Sequence, residues 1–411
     1  MRCLKIGVKP LSANSFSRHR NMFRISRFQQ LLQFVPRGRL QSLVDEHQAD
    51  RYTKAFGCYD LLVAQVFGNI NGSRSLRELE TGFNAQTRHH YHLGTGAVRR
   101  TTLADASAKR SPHVFEGLVH ALMASTHRRV RQDAKACLRL LDATSFTLKG
   151  RGFDEWTAAT RTRHTQGLKL HMVYASDQQL PTYQAITAPN VNDITQAWQV
   201  PIVAGETYVF DKGYCDYNWW ARLTKKKALF VTRLKRKAKT EVVKRRSLSR
   251  QEQQAVLADE HIRLSNKHPG AGRKSHYNTV YRRVTVARPD HATPLELITN
   301  DFERTATDIA DCYKARWEIE LFFKWIKQNL RIRAFFGRSE NAVRIQILCA
   351  LITYLLLALY RAAHAADKSL RRTLDELRAA LFQRASVDRA VERRRLTRMT
   401  QLAAIQPGLF Q

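Results

Sequence analysis

The sequence predicts a mixed α/β fold in which a helical N-terminal region precedes a core of strands and helices. Helical patterns fill the first third of the chain. Three strand-like runs follow between residues 137 and 188, and a fourth strand, which ends at Asp211, leads into another helix. A change from consecutive strands to alternating strands and helices is typical of an α/β core.

Composition and charge indicate what kind of molecule the protein binds. The length of 411 residues excludes a single small domain. The residues are 44% hydrophobic and 25% charged, which provides enough apolar surface for a buried core. Lys and Arg number 69 against 35 Asp and Glu, which gives a net charge of +34. This excess attracts phosphate backbones, so we expect a nucleic acid as partner. On charge alone, two alternatives stay open: the protein binds an anionic membrane surface, or its basic charge serves only solubility.

The cysteines and the N-terminus indicate the compartment. The six cysteines are scattered without a C-x-x-C pair, which argues against a disulfide scaffold or a zinc ribbon and fits a reducing compartment. The first residues carry no apolar block of signal-peptide length. Met22 is a second possible translation start, so we hypothesise that residues 1–21 are an upstream extension.

Residues 22–130 are predicted to be a helical DNA-binding domain. The run from Ser75 to Glu78 has the capping-box pattern and predicts a helix of about three turns. A weaker start at Thr102 is preceded by Arg99 and Arg100, which we expect to contact DNA. Two short helices with basic ends indicate a helix-turn-helix-like reader, although a plain helical subdomain with a solvated basic face stays open.

A histidine cluster lies between these two helix starts. We interpret His89, His90 and His92 as a solvated or phosphate-facing patch, because no second ligand pair lies at metal-binding spacing.

Residues 131–221 are predicted to form the first part of the core. The runs CLRLLDATSFTL, LKLHMVYAS and LPTYQAITA are separated by turn residues and predict an antiparallel meander. A helix near Asp193 and a strand ending at Asp211 complete this part, and a further helix follows.

Residues 222–294 are predicted to be a basic β-rich insertion. Thirteen Lys or Arg residues and a single acid, Glu241, occupy positions 222 to 250. Tyr277 and Tyr281 follow among further basic residues, where they could stack on bases. A solvated charged surface is the alternative.

Residues 295–365 are predicted to return to the core, with a strand LELITN and one long helix over residues 305–330. The apolar stretch Ile345–Tyr360 is too short for a membrane span and predicts a buried core helix. Residues 366–411 are predicted to be a basic helical tail that begins after Ser369.

Three acids stand out by context: Asp142 and Asp211 end apolar runs, and Glu320 lies in the middle of the long helix. Taken alone, an Asp in such a place is more often a turn residue or a helix cap. Similarly, a Glu on a basic helix is usually half of an exposed pair at i,i+4 spacing.

The predicted long helix separates a charged stripe from an apolar face. At about 100° per residue one stripe collects the polar side chains and a second face collects the apolar ones. The stripe contains Tyr313, Arg316, Glu320, Lys324 and Lys327, and the apolar face contains Ile319, Phe322, Phe323, Ile326 and Leu330. In such a stripe Glu320 could coordinate a cation while its neighbours hold phosphates, which suits cleavage of a phosphodiester bond.

These residues resemble a known family. The pattern Tyr313-x2-Arg316-x3-Glu320-x6-Lys327 is similar to the Y-R-E-K signature of the IS-four group of insertion-sequence transposases, which have an Asp-Asp-Glu triad. LDATSF resembles the strand of the family's first aspartate, and FDKGYCDY resembles that of the second. VRRTTLADASAKRS is similar to the family's helical DNA-binding region, and the resemblance covers roughly residues 25 to 365.

The resemblance implies a ribonuclease-H-like catalytic core with the β-rich insertion between the second Asp and the Glu. It implies that Asp142, Asp211 and Glu320 are catalytic and hold two Mg²⁺ ions, with Mn²⁺ as a substitute. It places the phosphate or DNA contacts on Tyr313, Arg316, Lys324, Lys327, Lys212, Tyr214, Arg99 and Arg100.

The implied activity is excision of a mobile element and its joining to new DNA. The implied partners are double-stranded DNA, as transposon ends and target, and a second copy in a synaptic homodimer in the prokaryotic cytoplasm, with no membrane. Two alternatives stay open: a non-catalytic DNA-binding relative, and a ribonuclease-H-like nuclease without strand transfer. No tryptophan lies between Lys225 and Asp311, so a base-holding role there would fall to Tyr277 or Tyr281, and a hairpin pathway stays open.

Overall fold

Seven helices form the N-terminal region of the computed structural model, which describes residues 25–130, 137–235, 238–265, 279–288, 292–330, 332 and 334–383. The predicted helical character of this region is confirmed. Its helices are α1 (Arg27–Leu32), α2 (Arg37–Glu46), α3 (Cys58–Asn71), α4 (Leu76–Asn84), α5 (Thr87–Leu93), α6 (Arg100–Lys109) and α7 (Pro112–Val130). The proposed upstream extension, Tyr277 and the chain after residue 383 lie outside the described residues.

The two predicted helix starts have different outcomes. Ser75 caps α4, because its hydroxyl accepts a hydrogen bond from the Glu78 amide at 3.1 Å. The Glu78 carboxylate bonds the Arg74 amide at 2.8 Å rather than that of Ser75. The start at Thr102 is wrong, since α6 begins at Arg100. The side chain of Asn84 bonds both the N–H and the C=O of Val98, which fixes the chain just before the helix.

The interpretation of the histidines is wrong for His90. Its ring is buried, stacks on Phe83 at a centroid distance of 4.3 Å, and bonds the Phe83 carbonyl oxygen at 3.0 Å. His90 is therefore a core residue, whereas His92 is exposed. The described residues contain no cluster of His, Cys, Asp or Glu arranged to hold a metal ion as they stand.

A nine-stranded sheet follows, in the order β3-β2-β1-β4-β5-β9-β8-β7-β6. The predicted meander is confirmed, because β1, β2 and β3 pair antiparallel. Strands β4 and β5 then extend the sheet in parallel with β1. The strands are β1 (Leu138–Thr147), β2 (Gly167–Ala175), β3 (Leu180–Thr187), β4 (Thr207–Phe210), β5 (Leu229–Arg233), β6 (Thr240–Arg245), β7 (Val256–Leu264), β8 (Val280–Val286) and β9 (Leu295–Thr299).

Strands β6, β7 and β8, from the predicted insertion, continue the same sheet through β9. Strand β5 also lies in the range 222–294, yet it pairs with β4. Tyr281 on β8 is buried against Trp220 and Phe230, so the prediction that it stacks on bases is wrong.

The remaining helices cover both faces of the sheet. One apolar core joins the N-terminal helices, α11, α12 and α13 to one face, and a second core joins α9 and α10 to the other. These helices are α8 (Asp154–Thr157), α9 (Asp193–Ala197), α10 (Tyr217–Lys225), α11 (Ala306–Lys314), α12 (Trp317–Asn329), α13 (Glu340–His364) and α14 (Leu370–Ala380).

Two predictions for the C-terminal third are confirmed and two are wrong. The apolar stretch is not too short for a membrane span, because α13 has 25 residues, but 94% of its apolar window is buried inside the fold, which confirms the predicted core helix. Helix α14 begins after Ser369, whose hydroxyl accepts from the Arg372 amide. The predicted single helix over residues 305–330 is wrong: it is interrupted at Ala315 and Arg316. There, three amides bond carbonyls three residues back instead of four, which tightens the turn.

The start of β2 depends on a glycine. Gly167 has φ +141°, and a Cβ built there would lie 2.1 Å from the Phe146 carbonyl oxygen on β1. We expect Gly167→Ala to lower the free energy of unfolding by more than the roughly 1–3 kcal/mol of a strained dihedral. Gly150→Ala is the control, because Gly150 also has positive φ but no heavy atom near its Cβ position. Equal losses in denaturant unfolding would show that the clash contributes nothing.

Candidate active site

The register of two parallel strands brings two of the predicted acids together. Leu141 on β1 lies opposite Phe210 on β4, so the next pair in register is Asp142 and Asp211. Side chains alternate between the faces of a strand, and neighbouring strands lie about 4.8 Å apart. Leu140 and Val209 face the core that contains α12, and both aspartates therefore face the same helix.

Helix α12 supplies the third acid. The guanidinium of Arg316 lies 2.6 Å from a carboxylate oxygen of Glu320 and 3.8 Å from one of Asp142. The apolar face predicted for this helix is buried against the sheet, which fixes the distance of the charged side chains from β1. The structure therefore brings Asp142 and Glu320 together at Arg316, and Asp211 lies on the strand next to Asp142.

The electrostatics of Asp142 report this convergence. Its pKa is raised from the ordinary 3.8 to about 6, and burial is the largest cause. The negative charges of Asp211 and Glu320 contribute to this rise, whereas the Ala143 amide and Arg316 oppose it. The Ala143 N–H donates to the Asp142 carboxylate at 2.8 Å. The ionised form of Asp142 is therefore destabilised at neutral pH, and a bound cation would stabilise it.

A tight turn after β4 orients Asp211. Its carboxylate accepts from the Gly213 amide at 2.6 Å and caps a single 3₁₀ turn, Lys212–Tyr214. A Cβ at position 213 would lie 2.8 Å from that oxygen, so a side chain there would displace the Asp211 carboxylate. Lys212 is exposed beside it.

The predicted DNA contact at Tyr214 is wrong. Its ring is buried against Phe210 and Trp219, and burial raises its pKa well above the ordinary value. Tyr214 therefore anchors the turn that carries Asp211 instead of facing a ligand.

The other residues of the predicted stripe lie around the acids. The Lys327 ammonium donates to the Thr144 hydroxyl at 2.5 Å and to the Ser145 carbonyl at 3.0 Å, two to three residues from Asp142. Lys324 is exposed one turn after Glu320. Tyr313 lies largely buried at the end of α11, and burial raises the pKa of its phenol, although the nearby guanidinium of Arg316 opposes this rise. The expected DNA contacts Arg99 and Arg100 are exposed at the start of α6.

Two residues near the acids were not among the site residues predicted from the sequence. Trp317 is 61% exposed beside Arg316, a position that a continuous amphipathic helix does not single out. Arg233 ends β5, next to β4, and looked like one of thirteen basic residues in an insertion. Only the strand order distinguishes it from the others.

The donor set suits a hard divalent cation, since three carboxylates offer the oxygen ligands that Mg²⁺ and Mn²⁺ prefer. In the described structure the Arg316 guanidinium contacts one carboxylate oxygen of Glu320 and approaches one of Asp142, so it compensates part of their negative charge.

Comparisons with known proteins show similarity to transposases. Residues 133–356 match the family described as transposase DDE domain, and residues 24–96 match a domain of unknown function, DUF4372. "Putative transposase y4zB" of Sinorhizobium fredii is 39% identical over 71% of this chain and 79% of its own. "Probable transposase for insertion sequence element IS5377" of Geobacillus stearothermophilus is 28% identical over 72% and 80%. A solved structure of piggyBac transposase in a synaptic complex with hairpin DNA has a TM-score of 0.48 and 10% identity, over 91% of this chain and 85% of that one.

The raised pKa of Asp142 has a consequence for stability. The unfolded chain releases this proton near pH 4 and the folded chain near pH 6, so the folded state alone bears the cost of the charge above pH 6. We expect Asp142→Asn to raise the free energy of unfolding at pH 7.5 by at most about 3 kcal/mol, and less as the pH falls towards 4. Denaturant unfolding at pH 7.5 and 4.5 measures this, with exposed Asp105→Asn as the control. A gain that does not depend on pH would contradict it.

Proposed function

The chain belongs to the transposases with a DDE domain, enzymes that cleave DNA and transfer its strands, and on that premise we propose that Asp142, Asp211 and Glu320 are its catalytic triad. One observation carries the proposal. Strands β1 and β4 and helix α12 bring these acids together, and the charges of the other two raise the pKa of Asp142. A half-buried acid such as Asp142, whose ionised form is destabilised by burial and by neighbouring acids, is more typical of functional sites than of structural ones.

We further propose that the core is ribonuclease-H-like and that the chain is a member of the IS-four group. The arrangement β3-β2-β1-β4-β5, with an antiparallel meander followed by two strands parallel to β1, supports the first proposal. The contact of Arg316 with Glu320 and the bonds from Lys327 to the segment after Asp142 support the second, because they give the spaced Y-R-E-K residues a common site.

The three carboxylates would hold two Mg²⁺ ions, or Mn²⁺ in their place, which supply an activated water or 3′-hydroxyl and stabilise the leaving oxygen. The residues of the chain prepare for this. The Ala143 and Gly213 amides orient Asp142 and Asp211. With a pKa of about 6, Asp142 is mostly ionised at neutral pH, and Arg316 beside it would contact a phosphate of the DNA.

The basic surfaces provide the DNA contacts. Arg316, Tyr313 and Lys327 would hold phosphates next to the acids, and the exposed Lys212 and Lys324 extend this surface. Arg99 and Arg100 would bind the element's terminal inverted repeats from α6. We place the reaction in a synaptic homodimer in the prokaryotic cytoplasm, where transposon ends and target DNA are held together.

Removal of Glu320 tests the triad. We expect Glu320→Ala to abolish Mg²⁺-dependent cleavage of DNA carrying the element's ends while it leaves binding of that DNA nearly unchanged, because the variant loses a metal ligand but no phosphate contact. Glu318→Ala is the matched control: this acid lies two residues away and bonds Ser176 instead of Arg316.

Cleavage by the Glu320→Ala protein in Mg²⁺ would remove Glu320 from the site. Cleavage by the parent protein in EDTA would contradict metal dependence. Binding of the ends without any cut, by the parent as well as the variant, would favour a non-catalytic DNA-binding protein. Cuts without joined products would favour a nuclease.

A further inference from the structure

We propose that Arg233 binds a phosphate of the substrate DNA at the active site, on the side of Asp211 that faces away from Asp142. The inference rests on the proposed function, since it adds a substrate contact to the same site. No sequence motif singles out this residue among its basic neighbours. Its place in the sheet does.

Strand register places Arg233 beside Asp211. Strands β4 and β5 pair in parallel, with Val209 opposite Val231. Two residues further along, Asp211 comes next to Arg233. The Thr232 hydroxyl donates to the Asp211 carbonyl oxygen at 3.2 Å, so the two strands are still adjacent at this point.

The alternation of side chains places Arg233 on the catalytic face. Val231 belongs to the same apolar core as Val209 and Leu140, which is the core that contains α12. Because residues two apart point to the same face, Asp142, Asp211 and Arg233 form a row across three neighbouring strands. Arg233 ends this row and is half-buried.

The surroundings of Tyr313 support this placement. Burial raises the pKa of the Tyr313 phenol, the positive charges of Arg316 and Arg233 both oppose this rise, and the negative charge of Asp211 adds to it. Both guanidinium groups are therefore close to one hydroxyl group, next to the second aspartate. The guanidinium groups of Arg316 and Arg233 can therefore contact different oxygen atoms of one phosphate group.

Arg233 also lacks a compensating acid. Among the described residues, no carboxylate oxygen lies within 4 Å of its guanidinium, although Asp211 is on the neighbouring strand. Other arginines close to the sheet are paired: Arg316 with Glu320, Arg282 with Asp259, and Arg283 with Glu260. A half-buried guanidinium without a carboxylate gains from an external anion, and its planar fork matches the oxygen atoms of a phosphate.

The test removes the charge from each side of the contact in turn. End DNA is prepared with one neutral methylphosphonate at the scissile phosphate or at a phosphate next to it, and binding is measured in EDTA so that no cleavage occurs. At one position the modification should weaken binding by the parent protein by about tenfold or more. Arg233→Gln should bind unmodified DNA about as weakly and should lose nothing further when that phosphate is neutral.

A matched variant separates this contact from general charge. Arg245→Gln removes the same charge from β6, where the side chain is 83% exposed. We expect Arg245→Gln to retain the full effect of the methylphosphonate at every position. Arg233→Lys keeps the charge without the fork and should show a reduced but measurable effect at the same phosphate. This second variant keeps the test informative if Arg233→Gln does not fold.

Full methylphosphonate sensitivity of both Arg233 variants at every position would overturn the inference. That result differs from a failure of the proposed triad. If Asp142→Asn and Glu320→Ala are inactive and Arg233→Gln binds like the parent, only the role of Arg233 is wrong. If Asp142→Asn still cleaves in Mg²⁺, the assignment of the site is wrong, whatever Arg233 does.

Discussion

Two carboxylates of like charge lie side by side in this protein because β1 and β4 pair in parallel and in a fixed register. A shift of one residue between these strands would turn one aspartate to the opposite face, since side chains alternate along a strand. The apolar residues before each acid prevent the shift: Leu140 and Val209 face one core, and Leu141 and Phe210 face the other. The hydrophobic effect on both faces of the sheet thus holds together two groups that repel each other.

The repulsion between the acids is offset by Arg316. Its guanidinium contacts Glu320 and approaches Asp142, and it does so from the interruption between α11 and α12. One cation therefore links the sheet to the helix that carries the third acid. On the proposed function, the same guanidinium would also contact a phosphate of the DNA beside the acids.

The rest of the fold supports this arrangement from a distance. The buried helix α13 and the N-terminal helices share one core with α12 and hold that helix against β1. On the opposite face, α10 supplies Trp219 and Trp220, which pack with Phe210 and Phe230 under the ends of β4 and β5. The strands of the basic segment extend the sheet instead of forming a separate layer, so a long insertion does not displace the strand that carries Arg233.

The sequence by itself determined the α/β class, the meander and the buried helix α13, because each is expressed in local periodicity. It pointed to the three acids through the apolar runs before two of them and through the family resemblance. It did not determine the interruption at Arg316, the buried positions of Tyr214 and Tyr281, or the early start of α6. Those depend on contacts between distant segments, such as Asn84 with Val98 and Tyr281 with Trp220. Above all, the row from Asp142 to Arg233 spans some ninety residues of chain. Only the pairing of strands brings its members together, because register is fixed by packing on both faces of the sheet and not by any local pattern.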